Sequence, residues 1–279
     1  MAEGGLLLVC ATPIGNLGDV SDRLREALQT ADVVYAEDTR RTATLLQHVA
    51  AKPVVRSLFV GNESARVVEL LAALGEGRTV ALVTDAGMPG VSDPGTEAIR
   101  RAREAGFAVS VIPGPSAVTT AVALAGFGAD RFVFEGFLPR KGKERALRLA
   151  SIAGEDRPVV LFISPHRFAA DLKAIAAVIG PMREVAITRE LTKLHEEVWV
   201  GAISGAIEEW SSRDPRGEFT VVVAPGPVKE LSIESAIAEA RLLVVGGSSP
   251  SEAARRVADA TGVSRRSVYQ ALIETQDRS

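Results

Sequence analysis

Cysteine, histidine and aromatic residues are the scarce types in this chain of 279 residues, and each scarcity removes a class of function. The single cysteine, Cys10, excludes an internal disulfide, and its place inside the apolar run LLLVCA is the setting of a buried, inert thiol. The three histidines, His48, His166 and His195, are dispersed with no cysteine cluster near them, so no metal site is expected. Aromatics make up 5% of the chain, which implies an aliphatic core and disfavours a nucleic-acid surface built on many stacked rings. No apolar run is long enough to span a bilayer and no signal peptide is recognisable, so the expectation is a cytoplasmic protein without a membrane partner. A formal net charge of −3 argues against nucleic acid coating the whole surface and leaves room for a local basic patch.

What is present is a chain of ordinary apolar content, 47% hydrophobic, whose length suits two domains and a small appendage. The segment Thr79–Pro94, TVALVTDAGMPGVSDP, is its most site-like stretch. A run of small and β-branched apolar residues, Val80 to Val83, reads as a strand buried on both faces. It breaks into Thr84, Asp85, Ala86, Gly87, Met88, Pro89 and Gly90, a turn with one acid and little bulk, where a ligand can lie directly against backbone amides.

Further buried strands are expected at Leu6–Ala11, Asp32–Ala36, Val54–Val60 and Ala108–Ile112, with helices between them. Ser21 has the character of a helix cap, and Val67, Leu70, Leu71 and Leu74 fall at helical spacing. Such alternation predicts a mostly parallel sheet with helices on both faces, and it places the loops 12–18, 37–41, 84–94 and 113–117 at one edge. The pattern resets around Gly126–Asp130. Strands are expected at Arg131–Phe137, Pro158–Ser164, Glu184–Arg189, Glu197–Val200 and Phe219–Ala224, with a basic loop, PRKGKER, at 139–145 and a helix at Ala206–Trp210. From Lys229 onward the pattern is helical: a turn at Thr261-Gly262, a cap at Ser264 and a second helix carrying Arg265, Arg266 and Tyr269 look like a helix-turn-helix. The expected organisation is thus 1–128, 129–228 and 229–279. The glycines of the first loop read G-N-L-G, which lacks the pyrophosphate turn of dinucleotide-binding proteins.

The blocks ATPIGNLGDVS, YAEDTRRT, TDAGMPGVSDPG, IPGPSA, FEGFLPRKGKER, SPHR, ELTKLHEEVW and GEFTVVV stand here in order between Ala11 and Val223, within a resemblance that covers about residues 6 to 275 and includes the C-terminal helical module. In sequence and spacing this set resembles the bacterial 16S rRNA 2′-O-ribose methyltransferases, the branch of the tetrapyrrole-methylase superfamily that modifies a cytidine in the decoding region. The resemblance implies two α/β domains of tetrapyrrole-methylase type with an S-adenosylmethionine cleft between them, a homodimer, and 16S rRNA, in the 30S subunit, as partner. By position, Asp85, Ala86, Gly87, Met88 and Val91 match the family's cofactor loop, and Ser116 and Ala117 its cofactor-binding turn. Pro13 and Gly15 match the small-residue loop where substrate and cofactor approach, and Phe162 and Ala224 match apolar positions near the adenine.

A ribose hydroxyl is a poor nucleophile at neutral pH, so a general base or polarising cation is expected. Glu37, Asp38, Glu190, Lys193, His195 and Glu196 are the candidates, and the sequence does not choose among them. Arg40, Arg41, Arg140, Lys141, Lys143, Arg145, His166, Arg167 and Lys193 are the candidate contacts to RNA phosphates. Three positions depart from the family pattern: Ile163 stands where glutamate is common, Val200 where arginine is common, and Val60-Gly61-Asn62 lacks a frequent histidine. The rival readings are a tetrapyrrole C-methyltransferase, which has no use for PRKGKER, and a non-catalytic RNA-binding factor of the same fold.

Overall fold

The computed structural model describes residues 4–128, 130–227 and 233–276. The first half builds a five-stranded sheet from β1 (Leu6–Cys10), β2 (Val33–Ala36), β3 (Val54–Ser57), β4 (Thr79–Val83) and β5 (Ala108–Ile112). All pairs are parallel and the order is β3-β2-β4-β1-β5, so β1 and β4 lie at the centre. Alternation along these strands sends side chains to opposite faces. Leu8, Cys10, Ala81 and Val83 face α1 (Asp22–Thr30) and α2 (Thr39–His48), where Leu24, Leu28, Leu45 and Leu46 are buried. Leu7, Val9, Val80 and Leu82 face α3 (Glu63–Gly75) and α4 (Thr96–Glu104), against Leu70, Leu74, Ala98 and Ala102. The expected cap is present, with the Ser21 hydroxyl accepting from the Leu24 amide at 3.1 Å. Strand β3 stops at Ser57 rather than Val60 because the Asn62 side chain closes a turn, accepting from the Phe59 amide and donating to the Ser57 carbonyl.

The second sheet contains β6 (Val133–Phe137), β7 (Val159–Ile163), β8 (Glu184–Arg189), β9 (Glu197–Ala202) and β10 (Phe219–Val223), in the order β6-β7-β10-β8-β9. Only β6 and β7 run parallel, which makes it a mixed sheet. Helix α5 (Ala117–Ala125) covers one face, pressing Val118, Ala121, Val122 and Ala125 onto Val160, Ala186 and Val222. Helices α6 (Lys143–Gly154), α7 (Phe168–Ile179) and α8 (Ile203–Glu209) cover the other, around a cluster in which Phe168 stacks 4.1 Å from Phe219 and 5.6 Å from Trp210.

Both sheets belong to one compact unit ending at Pro225. The boundaries expected at 128/129 and 228/229 touch Ala129 and residues 228–232, which lie outside the described residues, as does the start of the helical pattern at Lys229. The second unit contains α9 (Ile233–Val245), α10 (Pro250–Thr261) and α11 (Arg265–Gln276), closed around Ala236, Ala240, Ala253, Ala254, Val257, Val268 and Leu272. Gly262 ends α10 in the left-handed conformation, and Arg265, Arg266 and Tyr269 are exposed on α11, as a helix-turn-helix pattern requires. Among the described residues no helix is long and apolar enough to cross a membrane.

Candidate active site

Ligand sites in parallel α/β sheets form beyond the carboxyl ends of the strands, where neighbouring connections diverge to opposite faces. Here that point lies past β1 and β4, and an antiparallel bridge between Thr12 and Gly87, with amide–carbonyl distances of 2.9 and 3.1 Å, ties the two loops together. A cavity of about 370 Å³ opens beside it, within the range of small-molecule sites. Ile14, Glu37, Arg41, Asp85, Ala86, Ser92, Asp93 and Ala117 come from the loops of the first sheet, so those loops do converge. From the second sheet come Phe137, Phe162, Ile163, Ser164 and Pro165, together with Leu191, Glu218, Phe219 and Thr220, of which Phe219 and Thr220 pair with Ile163 and Phe162 on the neighbouring strand.

A second cavity of about 310 Å³ adjoins it, lined by Thr12, Pro13, Gly15, Leu17, Thr42, Thr44, Leu45, Thr84 and Lys193. Ile14, Arg41, Asp85, Ala86 and Glu218 border both. Asp85 is therefore part of a shared wall. Its side chain also shapes that wall, because Oδ1 accepts from the Asp38 amide at 2.9 Å and Oδ2 lies 3.4 Å from the Arg41 guanidinium.

The first cavity carries four carboxylates, Glu37, Asp85, Asp93 and Glu218, against one guanidinium, Arg41. Burial, then repulsion from Glu37, Asp85 and Glu218, pushes the Asp93 carboxyl up to about 7. Burial also raises Glu37, partly offset by the hydrogen bond it accepts from the Asp85 amide. The lining also has an apolar part, with the Phe162 ring centroid 5.0 Å from Phe134 and 5.5 Å from Phe137. A lining that combines carboxylates with aromatic rings suits a cationic ligand with a flat apolar part.

The turn after β8 closes the site from the second sheet. Glu190 and Thr192 adopt φ of 52° and 68°, an uncommon conformation for residues with a side chain, held by surrounding bonds. Lys193 Nζ donates to Glu190 at 2.9 Å and Glu218 at 3.0 Å, and the Thr192 amide donates to Glu196 at 2.6 Å. Burial opposes the charge of Glu190, but the Lys193 ammonium and the Glu218 amide outweigh it and hold the carboxyl below the usual range. Gly15 seats the first loop on this turn. A Cβ there would collide with the Lys193 side chain and would stand 2.8 Å from Thr192 Oγ1 and 3.0 Å from the Leu191 carbonyl.

The other expected site residues are distributed unevenly. Ala86, Ala117 and Phe162 line the first cavity, and Pro13 and Gly15 the second. Gly87 is occupied by the Thr12 bridge, Met88 packs half-buried against the core under α3 and α4, Val91 is exposed, and Ser116 stands at the N-terminal boundary of α5 without a side-chain capping bond. Ala224 lines neither cavity: β10 runs antiparallel to β7, so its first residues, not its last, meet the site, and Ala224 stands about 13 Å along the strand from Thr220. Asp38 caps α2 and pairs with Arg40, whose guanidinium draws its carboxyl down to about 2. His195 is exposed, two residues beyond Lys193.

Of the basic residues, Arg41 and Lys193 reach the cavities, while Arg40, Arg140, Lys141, Lys143 and His166 are exposed. Arg145 and Arg167 do something else. Both converge on Oδ1 of buried Asp171, at 2.8 and 3.0 Å, and both donate to the Pro139 carbonyl, so they anchor the basic loop. Sequence reasoning passed over Asp93 and Glu218, although both sit in the blocks TDAGMPGVSDPG and GEFTVVV. Neither carries a local sign of function, since their proximity comes from two separate sheets. Burial pushes the Cys10 thiol up to about 12, in keeping with an inert residue.

Comparison with known proteins supplies the context for this geometry. The family model described as tetrapyrrole (corrin/porphyrin) methylases matches residues 7–206. Proteins named ribosomal RNA small subunit methyltransferase I are similar over almost the whole chain. The one from Synechocystis sp. is 42% identical, covering 98% of this chain and 99% of its own, and that from Mycobacterium bovis is 44% identical, covering 98% and 96%. The relative from Thermotoga maritima, 46% identical, covers 79% of this chain and 98% of its own. Among solved structures, uroporphyrin-III C-methyltransferase from Thermus thermophilus superposes with a TM-score of 0.56 at 20% identity, covering 78% of this chain and 94% of its own. The methyltransferase CobJ does so at 0.60 and 23%, covering 79% and 94%. These two likenesses concern the fold.

Proposed function

The chain belongs to the tetrapyrrole (corrin/porphyrin) methylase family, and from that premise we propose that it is an S-adenosylmethionine-dependent rRNA methyltransferase acting on a ribose 2′-hydroxyl. Its substrate in this reading is a cytidine in the decoding region of 16S rRNA, presented by the 30S subunit to a homodimer in the cytoplasm. The observation that carries the reading is the first cavity, with its four carboxylates and one guanidinium beside the Phe162 ring.

That composition fits the cofactor. S-adenosylmethionine, when bound, supplies an electrophilic methyl group on a positively charged sulfur, together with an ammonium group and a flat adenine. Phe162, Ala86 and Ala117 offer apolar and small surfaces for the flat part, and Asp85 and Glu37 offer negative charge for the cationic part. The small residues admit a ligand against the backbone, and exclusion of water strengthens the carboxylates' field. Positioning of the acceptor hydroxyl against this wall supplies much of the acceleration. The second cavity opens toward Arg41 and Lys193, cations suited to a phosphate of the acceptor strand, and exposed Arg140, Lys141 and Lys143 extend the positive surface.

Two measurements test the reading. Calorimetry with S-adenosylhomocysteine should give saturable one-to-one binding per chain, and absence of binding would favour the non-catalytic factor. Mass mapping of 16S rRNA from cells lacking the protein should show loss of one ribose methyl near the decoding centre. An unchanged map would refute the assignment.

A further inference from the structure

The carboxylates around the first cavity are not equivalent. Asp85 is held by the Asp38 amide and Arg41, Glu37 accepts from the Asp85 amide at 3.4 Å, and Glu218 pairs with Lys193 at 3.0 Å. Asp93 lines the same cavity and has no hydrogen bond or ion pair among the described residues. Its backbone, in contrast, is firmly placed. Ser92 adopts φ of 64°, its hydroxyl packed where a Cβ on Gly136 of β6 would come within 3.0 Å. The Gly90 amide donates to the Pro94 carbonyl at 3.2 Å, and Glu63 of α3 accepts from the amides of Gly95 and Glu97 at 3.0 and 3.3 Å. A rigid loop thus presents an uncommitted carboxylate to the cavity.

We propose that Asp93 is the general base that removes the proton from the acceptor ribose hydroxyl during methyl transfer. This rests on the function proposed above. The O–H bond breaks with its proton passing to an Asp93 carboxylate oxygen, and the electron pair left on the ribose oxygen forms the bond to the methyl carbon. The pair of the broken carbon–sulfur bond stays on sulfur, which leaves as a neutral thioether, and Asp93 returns its proton to solvent. No oxidant or further reactant is needed.

Charge in the cavity suits this role. Asp93 shares the cavity with Glu37 at the end of β2, Asp85 after β4 and Glu218 before β10, with Arg41 of α2 on the same lining and Lys193 paired to Glu218. Burial and these carboxylates hold its pKa at about 7, where a base has both a useful ionised fraction and a strong pull on a proton. A cationic ligand in the cavity favours the ionised form further, so the activity of the liganded enzyme should inflect at or below about 7.

The test is single-turnover methylation of 30S subunits by the full chain over pH 5.5–9, with Asp93→Asn and Asp93→Glu compared with the parent. Asp93→Asn should lower the methylation rate about 100-fold or more, abolish the inflection, and leave S-adenosylhomocysteine affinity within about threefold of the parent. Asp93→Glu should recover part of the rate and retain an inflection. The proposal is overturned if Asp93→Asn methylates within about threefold of the parent, keeps the parental inflection, or loses rate only in proportion to cofactor affinity. A parent enzyme that binds the cofactor but never methylates the subunit would instead sink the functional reading, and the role of Asp93 with it.

Discussion

Replacing Asp171 with alanine should destabilise the larger unit and test what Arg145 and Arg167 are for. The Asp171 side chain is 5% exposed and takes both guanidinium groups on one oxygen, at 2.8 and 3.0 Å, while Arg145 and Arg167 retain 15% and 26% of their exposure. Removing the carboxylate leaves two largely buried cations whose remaining partners are the carbonyls of Leu138 and Pro139. Breaking a buried ion pair from one side costs about 3–5 kcal/mol. The residual exposure of Arg167 places this case at about 3 kcal/mol, which for a unit of this size lowers the melting temperature by about 6–12 °C. Asp171→Asn keeps an acceptor and should lose about half as much. Scanning calorimetry of the full chain reads the shift. A melting temperature for Asp171→Ala within about 2 °C of the parent would refute the argument and free both arginines for contact with RNA.

Three further outcomes follow from the site. Neutralising Arg140, Lys141 and Lys143 should leave the melting temperature unchanged and flatten the salt dependence of RNA binding, the log–log slope falling by about 0.7–0.9 for each phosphate no longer neutralised; filter binding across salt concentrations measures it, and an unaltered slope would make the loop an ordinary solvated surface. Asp85→Asn preserves an acceptor for the Asp38 amide while removing a charge from the cavity wall, so cofactor affinity should drop about tenfold with the fold intact, and calorimetry showing equal affinity would confine Asp85 to shaping its turn. The Asp93 carboxyl, raised to about 7 when folded against about 4 when unfolded, holds its proton more tightly in the folded state, so the stabilisation present below pH 4 is lost as pH rises toward 7. Asp93→Asn cannot ionise; it should melt above the parent at pH 8 with a difference that narrows on acidification, and identical pH–stability curves would contradict the burial of this group.

The two-sheet architecture was legible because most strands are continuous runs of β-branched and aliphatic residues bounded by turn formers, as at Thr79–Val83, Val159–Ile163 and Phe219–Val223. Helix α5 was not, since AVTTAVALA is small and apolar nearly all round, the composition of a helix covered on more than one side, and such a helix has no stripe to read. The start of α8, at Ile203 rather than Ala206, is the usual ambiguity at a helix end. Ordered motifs carried the family, and with it the loop after β4 as a candidate ligand site, whose residues Asp85 and Ala86 line both cavities.

By itself, then, the sequence determined the buried strands, the caps, the inert thiol and the small-residue turn after β4, because these depend on neighbours within a few residues. Tertiary structure alone decided how the charges are used. Asp171 lies 26 residues from Arg145 and draws that arginine away from the surface. Asp93 and Glu218 approach one cavity from different sheets, and Ala224 misses it because its strand runs the other way. A charge acquires its role from the dielectric and the partners around it, and both are set only when the two sheets close on one another.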